Sequence, residues 1–110
     1  MENRKGGIRM AGLEMISADR LDEYADRADC LLIDLRDREE YEAGHIKNAV
    51  NMPFDDLLSH VCLPKNRLLV LYCDRGSLSM AQGKKLASRG YRAVSVVGGM
   101  HAYRGKYLVK

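Results

Sequence analysis

The chain has 110 residues, 46% of them hydrophobic and 30% charged, which suits one small globular core and leaves no room for a second domain. Eighteen Lys and Arg stand against 15 Asp and Glu for a formal charge of +3; the basic residues are scattered, so the excess helps to gather small anions but makes no nucleic-acid-binding patch. The longest apolar run, from Leu68 to Cys73, is far below the ~18 residues of a membrane span.

Residues 1–12 are polar, contain glycines, and are basic at Arg4, Lys5 and Arg9. They lack the apolar segment of a secretory signal and read as a flexible tail, with a single domain over residues 13–110. Free cysteines and no targeting segment make the cytoplasm the expected compartment. Met15 and Ile16 form a short strand, and Ser17 is placed to cap a helix over 17–24. Strands are then predicted at Cys30–Asp34, 49–51, Leu68–Tyr72 and Ala93–Val97. Helices are predicted at Arg38–Ala43, 53–59 and 77–89, with Pro53 suited to a first helical position. This alternation gives an α/β fold, a parallel sheet covered by helices.

The chemistry centres on Cys73-Asp74-Arg75-Gly76-Ser77-Leu78-Ser79, between the apolar strand and the helix that follows. The first N–H groups of a helix have no partner within it, and with the positive end of its dipole they favour negative charge. A cysteine held there is favoured as thiolate, the nucleophilic form. Gly76 lets the backbone turn tightly. A cysteine ending a buried strand also serves as a small packing residue; the glycine turn and the helix start are what favour the nucleophile. Along that helix Met80, Gly83, Ala87 and Gly90 recur at helical spacing, so it is expected to lie close on the sheet, and Lys84, Lys85 and Arg89 sit toward its negative end.

Upstream, Asp34 and Arg36 flank the end of the strand from Cys30, and Glu39 and Glu40 open the next segment. Pairing among these charges is expected to support the loop rather than to do chemistry. His45 follows Gly44 in a turn and reads as structural. Cys30, Cys62 and Cys73, with His45, His60 and His101, show none of the spacings of a metal site, and three cysteines make no disulfide framework. Cys62 reads as a loop or packing residue, with a disulfide to Cys73 as the lesser alternative.

Three stretches together resemble the rhodanese-like domain family. The loop has the form C-x-x-G-x-x-S/T at Cys73, Gly76 and Ser79; Leu32-Ile33-Asp34-Leu35-Arg36 is followed by Glu40-Tyr41-Glu42-Ala43-Gly44-His45-Ile46-Lys47-Asn48-Ala49-Val50-Asn51-Met52-Pro53; and Val96-Val97-Gly98-Gly99-Met100 is similar to the family's last strand and the glycine pair before its closing helix. The resemblance implies a parallel sheet of about five strands flanked by helices on both faces. It implies a sulfurtransferase that moves a sulfane sulfur from a donor such as thiosulfate to a thiol or cyanide through a persulfide on Cys73. The cradle would be Asp74, Arg75, Gly76, Ser77, Leu78 and Ser79, with Asp34 and Arg36 in support. No cofactor or metal is implied, and a sulfur-relay protein is a further partner, with no nucleic acid and no membrane.

Two departures bear on substrate. Family members that use thiosulfate often carry basic residues after the cysteine, where this chain has Asp74 and then Arg75, and many small bacterial members have an arginine at the position of Leu78. Tyr72 and Leu78 are candidates to shape the pocket, and Tyr103 occupies a stretch where the family often has tryptophan. Two alternatives stand beside sulfur transfer. One is a non-catalytic binding, regulatory or sulfur-relay module. The other, more distant, is a cysteine phosphatase or arsenate reductase, which needs an arginine where this chain has Ser79.

Overall fold

A computed structural model describes residues 8–10, 12–53 and 63–110 of the chain. In chain order the elements are β1 (Ile8–Met10), β2 (Leu13–Ser17), a 3-10 turn (Ala18–Arg20), α1 (Asp22–Ala25), β3 (Cys30–Asp34), α2 (Arg38–Ala43), β4 (His45–Ile46), β5 (Val50–Asn51), β6 (Leu68–Tyr72), α3 (Ser77–Ser88), β7 (Ala93–Val97), α4 (Gly99–Ala102) and β8 (Leu108–Val109). The main sheet has the order β1-β2-β7-β6-β3-β5. β2, β7, β6, β3 and β5 run parallel, and β1 is added antiparallel at one edge. A two-stranded pair, β4 with β8, joins His45 to Val109 and Ile46 to Leu108.

Apart from Asp34 at the end of β3 and Ser95 in β7, the inner strands β3, β6 and β7 are apolar but for the terminal Tyr72 hydroxyl, because both faces of the sheet are covered. On one face Leu13, Ile33, Leu69, Leu71 and Ala93 pack with Leu86 of α3. On the other, Ile16, Leu32, Val70, Tyr72, Val94 and Val96 pack with Ala18, Leu21, Tyr24, Ala25 and Tyr103. The close approach expected of α3 is present. A methyl group added at Gly83 would stand 2.6 Å from Leu13 Cδ1, so glycine at that position lets the helix sit against β2.

Several elements differ from expectation. Ile8–Met10, within the stretch expected to be a tail, forms β1 by pairing with Leu13–Ser17, an interaction invisible to local patterning. The helix expected over 17–24 is instead a 3-10 turn followed by the single turn α1, and Ser17 makes no side-chain cap: its hydroxyl bonds to the Asp19 carboxylate. β5 comprises Val50 and Asn51 without Ala49, and α3 ends one residue early, at Ser88. α2 has the expected bounds and is started by a full capping box, Asp37 accepting from the Glu40 N–H while Glu40 accepts from that of Asp37. The helix expected over 53–59 and the positions of His60 and Cys62 lie outside the described residues.

The strand order fixes where a site belongs. After β3 the chain moves outward to β5, and after β6 it moves the opposite way to β7, although β3 and β6 are neighbours. The crevice beyond the carboxyl ends of β3 and β6 is therefore a topological switch point, where ligands bind in open parallel sheets.

Candidate active site

Cys73 follows the last residue of β6 at this switch point. It is 2% exposed, and its Sγ accepts a hydrogen bond from the Gly76 N–H at 3.0 Å. The chain then enters α3, whose first intrahelical bond at this end runs from the Met80 N–H to the Gly76 carbonyl at 3.1 Å. The N–H groups of Ser77, Leu78 and Ser79 belong to the first helical turn, which has no carbonyl ahead of it to accept them. The sulfur thus lies against one directed amide and the positive end of a twelve-residue helix.

The loop is held open in this shape by glycines. Gly76 caps the helix at φ +103°, and a Cβ there would come within 2.9 Å of the Gly98 nitrogen. Gly99 is at φ +54°, and a Cβ there would lie 2.2 Å from the Cys73 carbonyl oxygen. Both positions need glycine on conformational and steric grounds. Absence of a side chain at Gly99 lets α4 close on the loop: the Met100 N–H donates to the Cys73 carbonyl and the His101 N–H to the Asp74 carbonyl, each at 2.9 Å.

The side chains of the cradle divide. Ser79 is fully buried; its hydroxyl donates to the Gly76 carbonyl at 3.1 Å and lies 2.7 Å from Ser95 Oγ on β7. That hydroxyl faces the sheet, not the crevice, so its work is to fix the loop, and only its backbone N–H remains for an anion. Asp74 and Arg75 are exposed and form a loose ion pair at 3.8 Å. Leu78 is 37% exposed. A depression of about 240 Å³ opens beside the loop. Among the described residues it has apolar walls from Leu35, Pro53 and Leu78 and charged margins from Arg36, Asp37, Glu40 and Asp74.

Asp34 and Arg36 form a buried pair and not a reactive group. The Arg36 guanidinium donates to both Asp34 oxygens at 2.8 to 3.2 Å and to the Gly44 carbonyl at 2.6 Å. Burial alone would lower the Arg36 pKa, but its bonds and charge contact with Asp34 outweigh that and raise it. Arg36 also lies over the Tyr72 ring at 5.9 Å, and burial followed by the Asp34 charge raises the Tyr72 pKa. Asn51 closes the corner, its side-chain amide donating to the carbonyls of Asp34 and Arg36. Glu40, expected among these pairs, is engaged in the cap of α2 instead. His45 stacks on Tyr41 and bonds through Nδ1 to the Tyr41 carbonyl, a structural role as expected.

Ser95, Asn51 and the clamping role of Gly98 and Gly99 were not legible as site features. The glycine pair after an apolar strand was the available signal. Cys30 is buried and its pKa is raised, chiefly by that burial. Among the described residues no group of three or more His, Cys, Asp or Glu is placed to hold a metal ion, and no helix is long and apolar enough to cross a membrane.

Residues 17–106 match the family model described as a rhodanese-like domain. The chain belongs to the rhodanese-like family. Solved relatives agree in fold: a rhodanese-like domain protein from Staphylococcus aureus is 30% identical with a TM-score of 0.76, covering 86% of this chain and 95% of that one. A rhodanese-related protein from Thermoplasma volcanium is 27% identical with a TM-score of 0.74 over the same shares. Curated relatives include a tRNA sulfurtransferase of Desulfurococcus amylolyticus, 33% identical over 69% of this chain, and a tRNA uridine(34) hydroxylase of Yersinia enterocolitica, 30% identical over 83%. This rhodanese-like domain spans only 15% and 28% of those two proteins.

Proposed function

We propose that this rhodanese-like domain is a sulfurtransferase in which Cys73 carries the sulfur as a persulfide. The observation that carries the reading is the Gly76 N–H directed at Cys73 Sγ at 3.0 Å, beside the first turn of α3. In the first half-reaction the Cys73 thiolate attacks the outer sulfur of a donor R–S–S or of thiosulfate. The donor's S–S bond breaks, the leaving group (sulfite, from thiosulfate) departs with the electron pair, and Cys73 becomes a persulfide. In the second, a thiolate or cyanide attacks the outer sulfur and Cys73 leaves as thiolate. The Gly76 amide, with those of Ser77, Leu78 and Ser79, offsets the negative charge that resides on sulfur in each state.

The two relatives named for tRNA chemistry support a second reading of the same thiol, as a relay that hands sulfur to a tRNA-modifying partner. Phosphatase or arsenate chemistry is disfavoured, because the position that would hold the clamping arginine is the buried Ser79. Intact-protein mass spectrometry after exposure to sulfane donors tests the proposal. The expected result is an added mass of one sulfur, removable by a thiol reductant, on the parent protein and not on Cys73→Ala. Alkylation of Cys73 without sulfur uptake from any donor would sink the reading.

A further inference from the structure

β7 reads Ala-Val-Ser-Val-Val, and its serine is the one polar side chain in the strand. Ser95 lies between Met15 of β2 and Leu71 of β6, in the middle of the sheet, and is 1% exposed. A hydroxyl buried there is costly unless it is hydrogen-bonded. Among the described residues its partner is Ser79 Oγ, at 2.7 Å. A serine hydroxyl has one proton, and that of Ser79 is directed at the Gly76 carbonyl at 3.1 Å. The contact between the two serines is therefore made by the Ser95 proton, and the chain runs one way, from Ser95 to Ser79 to the Gly76 carbonyl.

That carbonyl belongs to the same peptide unit as the Ser77 N–H, in the first turn of α3 beside the sulfur. Each bond in such a chain polarises the next, so a donor held on the carbonyl oxygen strengthens the N–H at the other end of the unit. The Gly76 N–H that meets Cys73 Sγ is on the other side of the same Cα. Gly76 stands at φ +103° with no side chain to restrain it, so the set of both peptide units depends on what grips the carbonyl. The Met80 N–H holds it from the helix and the Ser79 hydroxyl from the sheet side. Resting on the sulfurtransferase reading above, we infer that Ser95 is a positioning residue of the reaction. From the centre of the sheet it orients the Ser79 hydroxyl and, through Gly76, the amides that face the sulfur.

The test is the rate of sulfur loading on Cys73 from thiosulfate and from cysteine persulfide, followed by intact mass on folded protein, in Ser95→Ala, Ser79→Ala and the double variant. Ser95→Ala is expected to load about fivefold more slowly than the parent, the size of one buried hydrogen bond. Ser95→Thr, which keeps the hydroxyl, should return to within about twofold of the parent. Adding Ser95→Ala to Ser79→Ala should change loading by less than about twofold, because the link it acts through is already gone. A pair that only packs would shift the urea midpoint and leave these rates alone. Should Ser95→Ala fail to fold, Ser95→Thr against Ser95→Val, alike in size and different in the hydroxyl, decides. Loading by Ser95→Ala at the parent's rate, or the same slowing with and without the Ser79 hydroxyl, overturns the inference alone. Loading of the parent from neither donor sinks the sulfurtransferase reading and the inference with it.

Discussion

Asp34 has no exposed surface and Arg36 very little, so each is held in the protein by the other. Removing one partner of such a pair leaves a buried charge without compensation, a loss of about 3–5 kcal/mol, whereas removing both together costs much less. Asp34→Ala is therefore expected to lower stability by about 3–5 kcal/mol, and Asp34→Ala/Arg36→Met to recover most of it. Urea unfolding of the two variants checks this. Equal losses in both would mean that the pair stabilises through packing alone. The same corner holds Gly44 and Tyr72, which is why a residue pair far from the sulfur in chemistry still governs the β3 side of the crevice.

At the scale of elements, α3 shows a local rule overruled by packing. Glycine inside a helix is usually improved by alanine, by roughly 1 kcal/mol. Here the added methyl would stand 2.6 Å from Leu13 Cδ1, and Leu13 is itself fully buried. Overpacking of this kind costs ~1–3 kcal/mol, so Gly83→Ala is expected to be no more stable than the parent. Thermal unfolding of Gly83→Ala reads the sign, and a raised midpoint would show that α3 shifts freely. The contact also explains what was legible in the sequence. Cys30–Asp34, Leu68–Tyr72 and Ala93–Val97 are apolar runs because helices cover both faces, so their pattern announced them. Arg38–Ala43 was legible as the segment between two predicted strands, and Cys73, Gly76 and the start of α3 from the strand-turn-helix order. What escaped was long-range: β1 pairs with β2, and β4 with β8 across most of the chain, so neither β4 nor β8 has a local signal of its own. Ser79 was placed in the cradle because its spacing is right; its inward turn depends on Ser95, supplied by β7.

For the whole molecule, the aromatic hydroxyls set a limit on the alkaline side. Burial, with the hydrogen bond to Asp22, pushes the Tyr103 pKa up to about 12, and burial raises that of Tyr72. Both groups hold their protons longer folded than unfolded, where tyrosine titrates near ~10. Their contribution to stability is thus fully present below about pH 10 and is lost as pH rises through the folded values. Urea unfolding is expected to show constant stability from these groups up to about pH 10 and a decline above it, with a shallower decline in Tyr103→Phe. An unchanged slope in that variant would remove Tyr103 from the account. Tyr103 joins Asp22 near the start of the fold to Tyr107 near its end, while Met100 and His101 grip the carbonyls of Cys73 and Asp74. During synthesis, then, the thiol leaves the ribosome well before the residues that shape its loop. A nascent chain that has not yet released Gly98 to His101 leaves the Cys73 and Asp74 carbonyls without their partners, so the loop takes its final shape only when the closing helix arrives.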